Sequence, residues 1–317
     1  MRRAGIAIGA ALAVATFLGG AREAVAQEAI ARETVGTLVV AHGANPAWNA
    51  PVLETARQAD TEGPVEVAFL MGPAAAERRF QDAVRALVEA GADRVVVVPL
   101  FVSSHSGHYE QMRWLAGETD SLSPIMREHL QHAGIERPGG AVPLELAPAL
   151  DDSPELARVL AERALALAGD PGERSLFLVG HGPNSAEDHA AWMKNLREVA
   201  GRVRRESGFA DVKVGLVRDD APEAVREEAV RGIRETIQLM HLASGREVVV
   251  VPILISSGRV SAEKIPADLA GLPIVYDGTP ILPHPAIARW IESRVRTLAA
   301  KPPAPTASVA ERAGDLR

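Results

Sequence analysis

The sequence predicts an α/β fold of two tandem, doubly wound parallel-sheet domains that face a central cleft. Two observations lead to this prediction. The segment 94–98 is a nearly continuous β-branched run without polar alternation, which is typical of a strand buried on both faces of a parallel sheet. The same ordered set of segments also occurs twice along the 317 residues, so one βα pattern builds both halves.

Two pairs of segments carry the duplication. Residues 35–43 and 175–182 are each a short apolar run that ends in His-Gly. Residues 94–104 and 247–257 each contain four consecutive valines, a proline and a closing Ser-Ser. Because these pairs follow each other in the same order, we interpret the chain as a tandem duplication.

The repeats and the turn-forming residues between them divide the chain. The first copy is predicted over residues 35–168 and the second over 173–299, with the Gly-Asp-Pro-Gly sequence at 169–172 as the linker. Residues 300–317 are rich in proline, alanine and charge, which predicts a disordered tail. The duplication also predicts a monomer with two pseudo-symmetric domains.

Amphipathic helices are predicted between the strands. Apolar residues at helical spacing run from Phe80 to Val88, and Gly91 follows where a helix would end. The counterpart stripe in the second copy runs from Val230 to Met240 and is followed by Gly245. Strands that alternate with such helices favour two doubly wound domains.

The N-terminus has the pattern of an export signal. Arg2 and Arg3 precede an apolar run over residues 4–18, and Ala24-Val25-Ala26 resembles a cleavage site. The run is short for a membrane anchor. We therefore expect residues 1–26 to be a cleaved signal peptide, no membrane span in the mature chain, and a periplasmic or secreted protein.

Composition excludes several classes of site. The chain has no cysteine, which rules out thiolate zinc sites, iron–sulfur clusters and cysteine nucleophiles. A formal charge of -7 gives no electrostatic attraction to nucleic acid or anionic lipid. Any metal must therefore be bound by histidine, carboxylate or backbone oxygen, and no organic cofactor is expected.

Candidate site residues follow the strands, because ligands of open parallel sheets bind beyond the carboxyl ends of the strands. His42 and His181 follow the first strand of each copy. The loop after the third strand carries His105 and His108 in the first copy and Arg259 in the second. Neutral imidazole binds divalent metals and accepts protons near neutral pH. A packed or capping histidine is the alternative, and the sequence does not choose between His105 and His108.

The other histidines are predicted to have no part in this site. Four lie on predicted helices and are interpreted as solvated: His129, His132, His189 and His241. His284 lies between two prolines, which favours a rigid turn. Neither a Gly-x-Ser-x-Gly nucleophile elbow nor a Gly-rich phosphate loop is present.

The ordered set of His-Gly strand, Val-Val-Val-Val-Pro strand and Ser/Gly/His loop, present twice, resembles the sirohydrochlorin cobaltochelatases of cobalamin biosynthesis. These belong to the class II chelatases. The resemblance implies two flavodoxin-like halves around a cleft. It also implies a lyase that inserts a divalent metal, Co²⁺ first and Fe²⁺ or Ni²⁺ as alternatives, into a tetrapyrrole without ATP.

The resemblance also implies roles for individual residues. The family's first functional histidine corresponds to His42, with His181 as its equivalent, and the second corresponds to His105 or His108. Histidine would hold the metal and accept the displaced pyrrole protons. Arg259 would bind a carboxylate arm of the macrocycle.

Several positions depart from the family pattern. A glutamate that often follows the second strand is replaced by Met71 and by Arg218. The Asp-Ile-Pro after the histidine loop becomes Lys-Ile-Pro at residues 264–266 in the second copy. Together with the predicted export, these departures favour an alternative function, a non-catalytic exported protein that binds metal or tetrapyrrole.

Overall fold

The computed structural model describes residues 33–140 and 142–301. The predicted signal peptide, residues 1–26, lies outside the described residues, as does all but the start of the predicted tail. Within the described residues, no helix is both long and apolar enough to cross a membrane.

The strands form two separate four-stranded parallel sheets, which confirms the predicted fold class. Their orders are β2-β1-β3-β4 in the first copy and β6-β5-β7-β8 in the second. From β1 the chain adds β2 on one side and then β3 on the other, and β5 is flanked by β6 and β7 in the same way. The loops after β1 and β5 therefore lie at the point where the strand order reverses, which is where ligands bind in doubly wound folds. The strands are β1 (Val35–Ala41), β2 (Val65–Phe69), β3 (Arg94–Pro99), β4 (Leu144–Leu146), β5 (Ser175–Gly180), β6 (Asp211–Leu216), β7 (Val248–Ile253) and β8 (Ile274–Val275).

Helices follow almost every strand, and side-chain caps define several of their first turns. Ser153 and Ser185, for example, each accept a hydrogen bond from a backbone N–H in the first turn of the following helix. The helices are α1 (Pro46–Gln58), α2 (Pro73–Glu77), α3 (Phe80–Glu89), α4 (Gly107–Leu115), α5 (Pro124–His132), α6 (Pro154–Ala168), α7 (Ala186–Ser207), α8 (Glu223–Ser244), α9 (Ile265–Asp268) and α10 (Pro285–Ala299).

The two predicted apolar stripes are confirmed as buried helix faces. Phe80, Val84 and Leu87 of α3 lie in the core of the outer face of the first sheet. Ile233 and Ile237 of α8 do the same on the second sheet. Burial of each such side chain contributes about 1.5–3 kcal/mol.

A single apolar core joins the two copies. It contains inner-face residues of both sheets together with α1, α6, α7 and α10. The last helix of each copy packs on the sheet of the other copy, since α6 contacts β7 and α10 contacts β3. The described residues from Val35 onward accordingly cluster as one compact unit. The boundaries of the two copies stay predictions.

Arg94 holds the end of α10 against the first sheet. Its side chain is 2% exposed and donates to Glu145 at 2.9 Å. It also donates to the backbone carbonyls of Ala299 and Lys301, at 2.6 and 3.0 Å. The last helix of the second copy thus ends on a buried guanidinium from the first.

Candidate functional site

The His-Gly turn after β1 lies tightly against the end of β2. Gly43 has a φ of 84°, and a Cβ at this position would lie 2.4 Å from the carbonyl oxygen of Met71. Met71 in turn donates its backbone N–H to the carbonyl of His42 at 2.8 Å. Only glycine fits such a turn, which explains why His42 is followed by Gly.

The second copy repeats this turn. Gly182 has a φ of 83°, and a Cβ there would lie 2.8 Å from Leu216 Cβ. The backbone N–H of Arg218 donates to the carbonyl of His181 at 2.7 Å. The residues after β6 are therefore held next to His181.

His42 and His108 form one imidazole pair. Their ring centroids lie 4.8 Å apart at an interplanar angle of 83°. His108 lies in the first turn of α4, whose start is capped by the hydroxyl of Ser106. His105 is exposed, and its contacts are made by its backbone. Of the two loop histidines left open by the sequence, the structure brings His108 to His42.

Hydrogen bonds fix the tautomers of these imidazoles. His42 Nδ1 lies 2.8 Å from the carbonyl oxygen of Gly43, which can only accept, so Nδ1 carries the proton. His108 Nδ1 lies 2.9 Å from Gln111 Oε1, while Gln111 Nε2 donates to the carbonyl of Met126. Both rings therefore keep the lone pair on Nε2, one of the two ring nitrogens through which neutral imidazole binds a metal.

Burial keeps both rings neutral. It lowers the pKa of His108 to about 4, and the neighbouring His42 adds to this effect. Burial also lowers the pKa of His42, and the charge of His181 acts in the same direction. The charge of His181, from the second copy, also contributes to the lowered pKa of His108.

His181 has the opposite charge preference. Its Nδ1 donates to the carbonyl of Gly182, and its Nε2 lies 3.3 Å from Asp220 Oδ2. Burial lowers the pKa of His181, but the contacts with Asp220 and the Gly182 carbonyl, together with the charge of Asp219, outweigh it, so the net pKa is raised. The pKa of Asp220 is lowered by the same contact with His181.

Asp219 and Asp220 differ in their partners. His181, Asp219 and Asp220 offer ligand atoms within 4.8 Å of one another, so they could hold a metal ion. Asp219 is 3% exposed and already pairs with Arg226 at 3.2 Å and with Lys264. Asp220 is 66% exposed. We therefore assign Asp220 as the available carboxylate and Asp219 as the buried anchor.

Helix α1 of the first copy meets the loop after β7 of the second beside this site. The ring centroid of Trp48 lies 6.2 Å from that of His42. A Cβ on Gly258 would lie 3.4 Å from Trp48 Cδ1, so the loop approaches the indole closely. The Arg259 side chain is 73% exposed and lies 3.6 Å from Glu263.

Sequence reasoning missed three residues near the site. The glutamate of the family pattern is replaced by Arg218, and Asp220, two residues later, provides a carboxylate beside His181 instead. Gln111, which contacts His108, was also not predicted. His129 was expected on a solvated face; its Nδ1 is instead buried, without a hydrogen-bond partner in the described part of the chain. Its charge contributes to the lowered pKa of both His42 and His108.

His284 has a structural role, in agreement with the predicted turn. It is buried, caps α10 by accepting the backbone N–H of Ala286, and contacts Glu162 through Nε2 at 3.0 Å.

The pair of His181 and Asp220 predicts a pH-dependent contribution to stability. Because the folded pKa of His181 is raised, its stabilisation is complete below pH 6.5 and is lost as the pH rises through the folded value. Asp220→Asn is expected to lower Tm by about 1–3 °C near pH 5.5 and to have little effect near pH 9. Thermal unfolding at both pH values measures this difference.

Asp152→Asn is the matched control. Asp152 lies 3.7 Å from Arg202, a group that does not titrate in this range, so its effect should be the same at both pH values. An equal loss of Tm for Asp220→Asn at both pH values would contradict the assigned pairing.

Several solved structures have a similar fold. SirB from Bacillus subtilis with Fe3+ is 16% identical, with a TM-score of 0.59 over 84% of this chain and 96% of that chain. The sirohydrochlorin chelatase SirB from Bacillus subtilis subspecies spizizenii in complex with cobalt is 17% identical, with a TM-score of 0.56 over 85% and 97%. CbiX, described as the terminal enzyme for biosynthesis of siroheme in denitrifying bacteria, is 18% identical, with a TM-score of 0.50 over 83% and 98%.

The family comparison covers both copies. No curated protein sequence matches the chain. The CbiX family matches residues 36–167 and again 175–298. The chain therefore belongs to the CbiX family, as the resemblance in its sequence indicated.

Proposed function

We propose that the protein is a chelatase that inserts a divalent metal ion into a tetrapyrrole, with Co²⁺ the first candidate and Fe²⁺ or Ni²⁺ the alternatives. One observation carries the proposal. His42 and His108 form a pair of neutral imidazoles with free Nε2 lone pairs, and the charge of His181, which pairs with Asp220, contributes to their lowered pKa values. The metal complexes of similarly folded sirohydrochlorin chelatases support it.

The two halves of the site suit the two halves of the reaction. His42 and His108 stay neutral at pH 7 and can bind the incoming ion without first losing a proton. Insertion replaces two pyrrole protons with one divalent ion, so two protons must leave the macrocycle. In this proposal the neutral form of His181 accepts the two protons one after the other, and Asp220 passes each of them to solvent at its exposed side.

The macrocycle is proposed to be sirohydrochlorin or a related tetrapyrrole with carboxylate arms, bound between the copies. Trp48 lies beside His42 and offers an apolar ring surface. Arg259 has an exposed guanidinium whose nearest carboxylate is 3.6 Å away, so it can bind a carboxylate arm instead.

The test follows the absorption spectrum of sirohydrochlorin with the purified protein and each of Co²⁺, Fe²⁺ and Ni²⁺ under anaerobic conditions. Wild type is expected to convert the free macrocycle to its metal complex well above the rate without protein. His42→Ala is expected to reduce that rate to near background, because it removes one of the two neutral metal ligands.

A failed conversion would still distinguish the alternatives. Tight binding of Co²⁺ and macrocycle without an increased insertion rate would refute catalysis and favour an exported carrier. Absence of binding of the macrocycle and of all three ions would refute both functions. We further propose that the protein is exported, which N-terminal sequencing of protein from the periplasmic fraction tests by locating the cleavage site.

A further inference from the structure

We propose that Trp192 and Asn195, on α7 of the second copy, are positioning residues for His108 of the first copy. The inference rests on the proposed role of His108 as a metal ligand. It is carried by hydrogen bonds that cross from α7 to the loop between β3 and α4.

Two side chains of α7 form hydrogen bonds that hold that loop, and we call these contacts the brace. Trp192 is 8% exposed, and its Nε1 donates to the backbone carbonyl of His105. Asn195 Nδ2 donates to Asp151 Oδ1 at 3.4 Å. Asp151 accepts from both the backbone N–H and the hydroxyl of Ser104, at 2.8 and 2.6 Å. The loop is thus bound at two adjacent residues by groups that α7 holds.

The loop determines where His108 lies. His105 donates its backbone N–H to Ser103 Oγ, and the next residue, Ser106, caps α4 by accepting the backbone N–H of Tyr109. His108 is the second residue of α4, so a shift of the loop displaces its ring. Helix α7 begins shortly after His181 and also binds the loop before His108. One helix therefore connects the His181 half of the site with the His108 half.

Asp151, which links the loop to α7, also has an unusual backbone conformation. Asp151 has a φ of 45°, a left-handed conformation that side-chain-bearing residues rarely adopt. Its carboxylate is bonded to Ser104 and Asn195, and these bonds keep the conformation in place. Asp151 lies between β4 and α6, so this strained residue connects α7 to the loop that precedes His108.

Among the described residues, the loop after β7 in the second copy has no such brace. The backbone N–H of Leu282 donates to the carbonyl of Ile255, just as that of Asp151 donates to the carbonyl of Val102. Leu282 therefore occupies the position of Asp151 in the second copy, and its side chain cannot accept a hydrogen bond. The Ser256 hydroxyl is buried and has no hydrogen-bond partner among the residues described.

A cavity lies beside the loop of the second copy. Its volume is about 490 Å³, and it is lined by Ala47 and Pro51 of α1 together with Ser256, Ser257 and Leu282. The fold alone therefore does not require the brace. In the part of the chain that the structure describes, it occurs at the loop that precedes His108 and not at its counterpart in the second copy.

Trp192→Phe tests the inference, because it keeps an aromatic ring but removes the donor to His105. Trp290→Phe is the matched control: Trp290 is fully buried, and its Nε1 has no partner in the described chain. Long-range ¹H–¹⁵N NMR of the metal-free proteins reports the His108 tautomer, with the signal assigned by its loss in His108→Ala. Titration with Co²⁺ gives Kd for the same proteins.

Wild type is expected to show the Nδ1–H tautomer of His108 alone, and Trp192→Phe a mixture of tautomers with a Kd raised about tenfold. Trp290→Phe should match wild type in both. An unchanged His108 signal in Trp192→Phe, or an equal change in Trp290→Phe, would overturn the inference. If Trp192→Phe does not fold, Asn195→Ala decides by the same two outcomes. Wild type that binds no Co²⁺ would refute the proposed function, while the His108 signal would still decide the positioning.

Discussion

His108→Ala is expected to weaken Co²⁺ binding by about 100-fold or more, whereas His105→Ala is expected to change it less than about threefold. Loss of a group that merely orients a ligand costs 10- to 100-fold in metal affinity, so loss of the ligand itself should reach at least the upper end. His105 is exposed and contacts its neighbours through backbone atoms, which alanine retains.

Isothermal titration of both variants and wild type, near pH 7, measures this contrast. The two histidines lie three residues apart, His105 in the loop before α4 and His108 in the first turn of α4, so general damage to this segment should affect both variants alike. Equal losses of affinity would contradict the assignment of His108. Because burial lowers the pKa of His108 to about 4, wild-type affinity should also fall little between about pH 7.5 and 5.5 from this group.

Arg94→Ala is expected to lower the free energy of unfolding by about 3–5 kcal/mol. Alanine would leave Glu145, 13% exposed, without this partner, and would remove the donor to two carbonyls at the end of α10. That end of α10 lies against β3 of the other copy, so the loss weakens the join between the copies. Urea denaturation followed by circular dichroism measures the change.

Arg246→Ala is the control for removing an ion-paired arginine. Arg246 lies 2.7 Å from Glu173, but both side chains are more than half exposed, so water screens their attraction. We expect a far smaller change than for Arg94→Ala. Comparable changes in the two variants would show that the buried position of Arg94 contributes nothing beyond an ordinary surface pair.

Local patterns were enough to predict the architecture. The continuous valine runs at β3 and β7 are buried on both faces, as a parallel sheet requires. The His-Gly pairs were recognisable because the turn after β1 and β5 needs a positive φ that glycine provides. His42 could be proposed for the site because residues after the first strand lie at the ligand-binding edge of such a sheet.

Contacts between distant segments could not be read from those patterns. Asp220 was passed over because its place beside His181 depends on how the chain turns after β6. The exchange of α6 and α10 between the sheets also left no local signal, because an apolar helix face fits either sheet.

The sequence by itself determined the fold class, the duplication and the loops where a site could form, because these follow from periodicity and turn chemistry within short segments. Only the tertiary structure decided which imidazole pairs with His42, which carboxylate joins His181, and that α7 of one copy braces the loop of the other. These depend on distances between residues far apart in the chain, which packing of the shared core sets and local pattern does not encode.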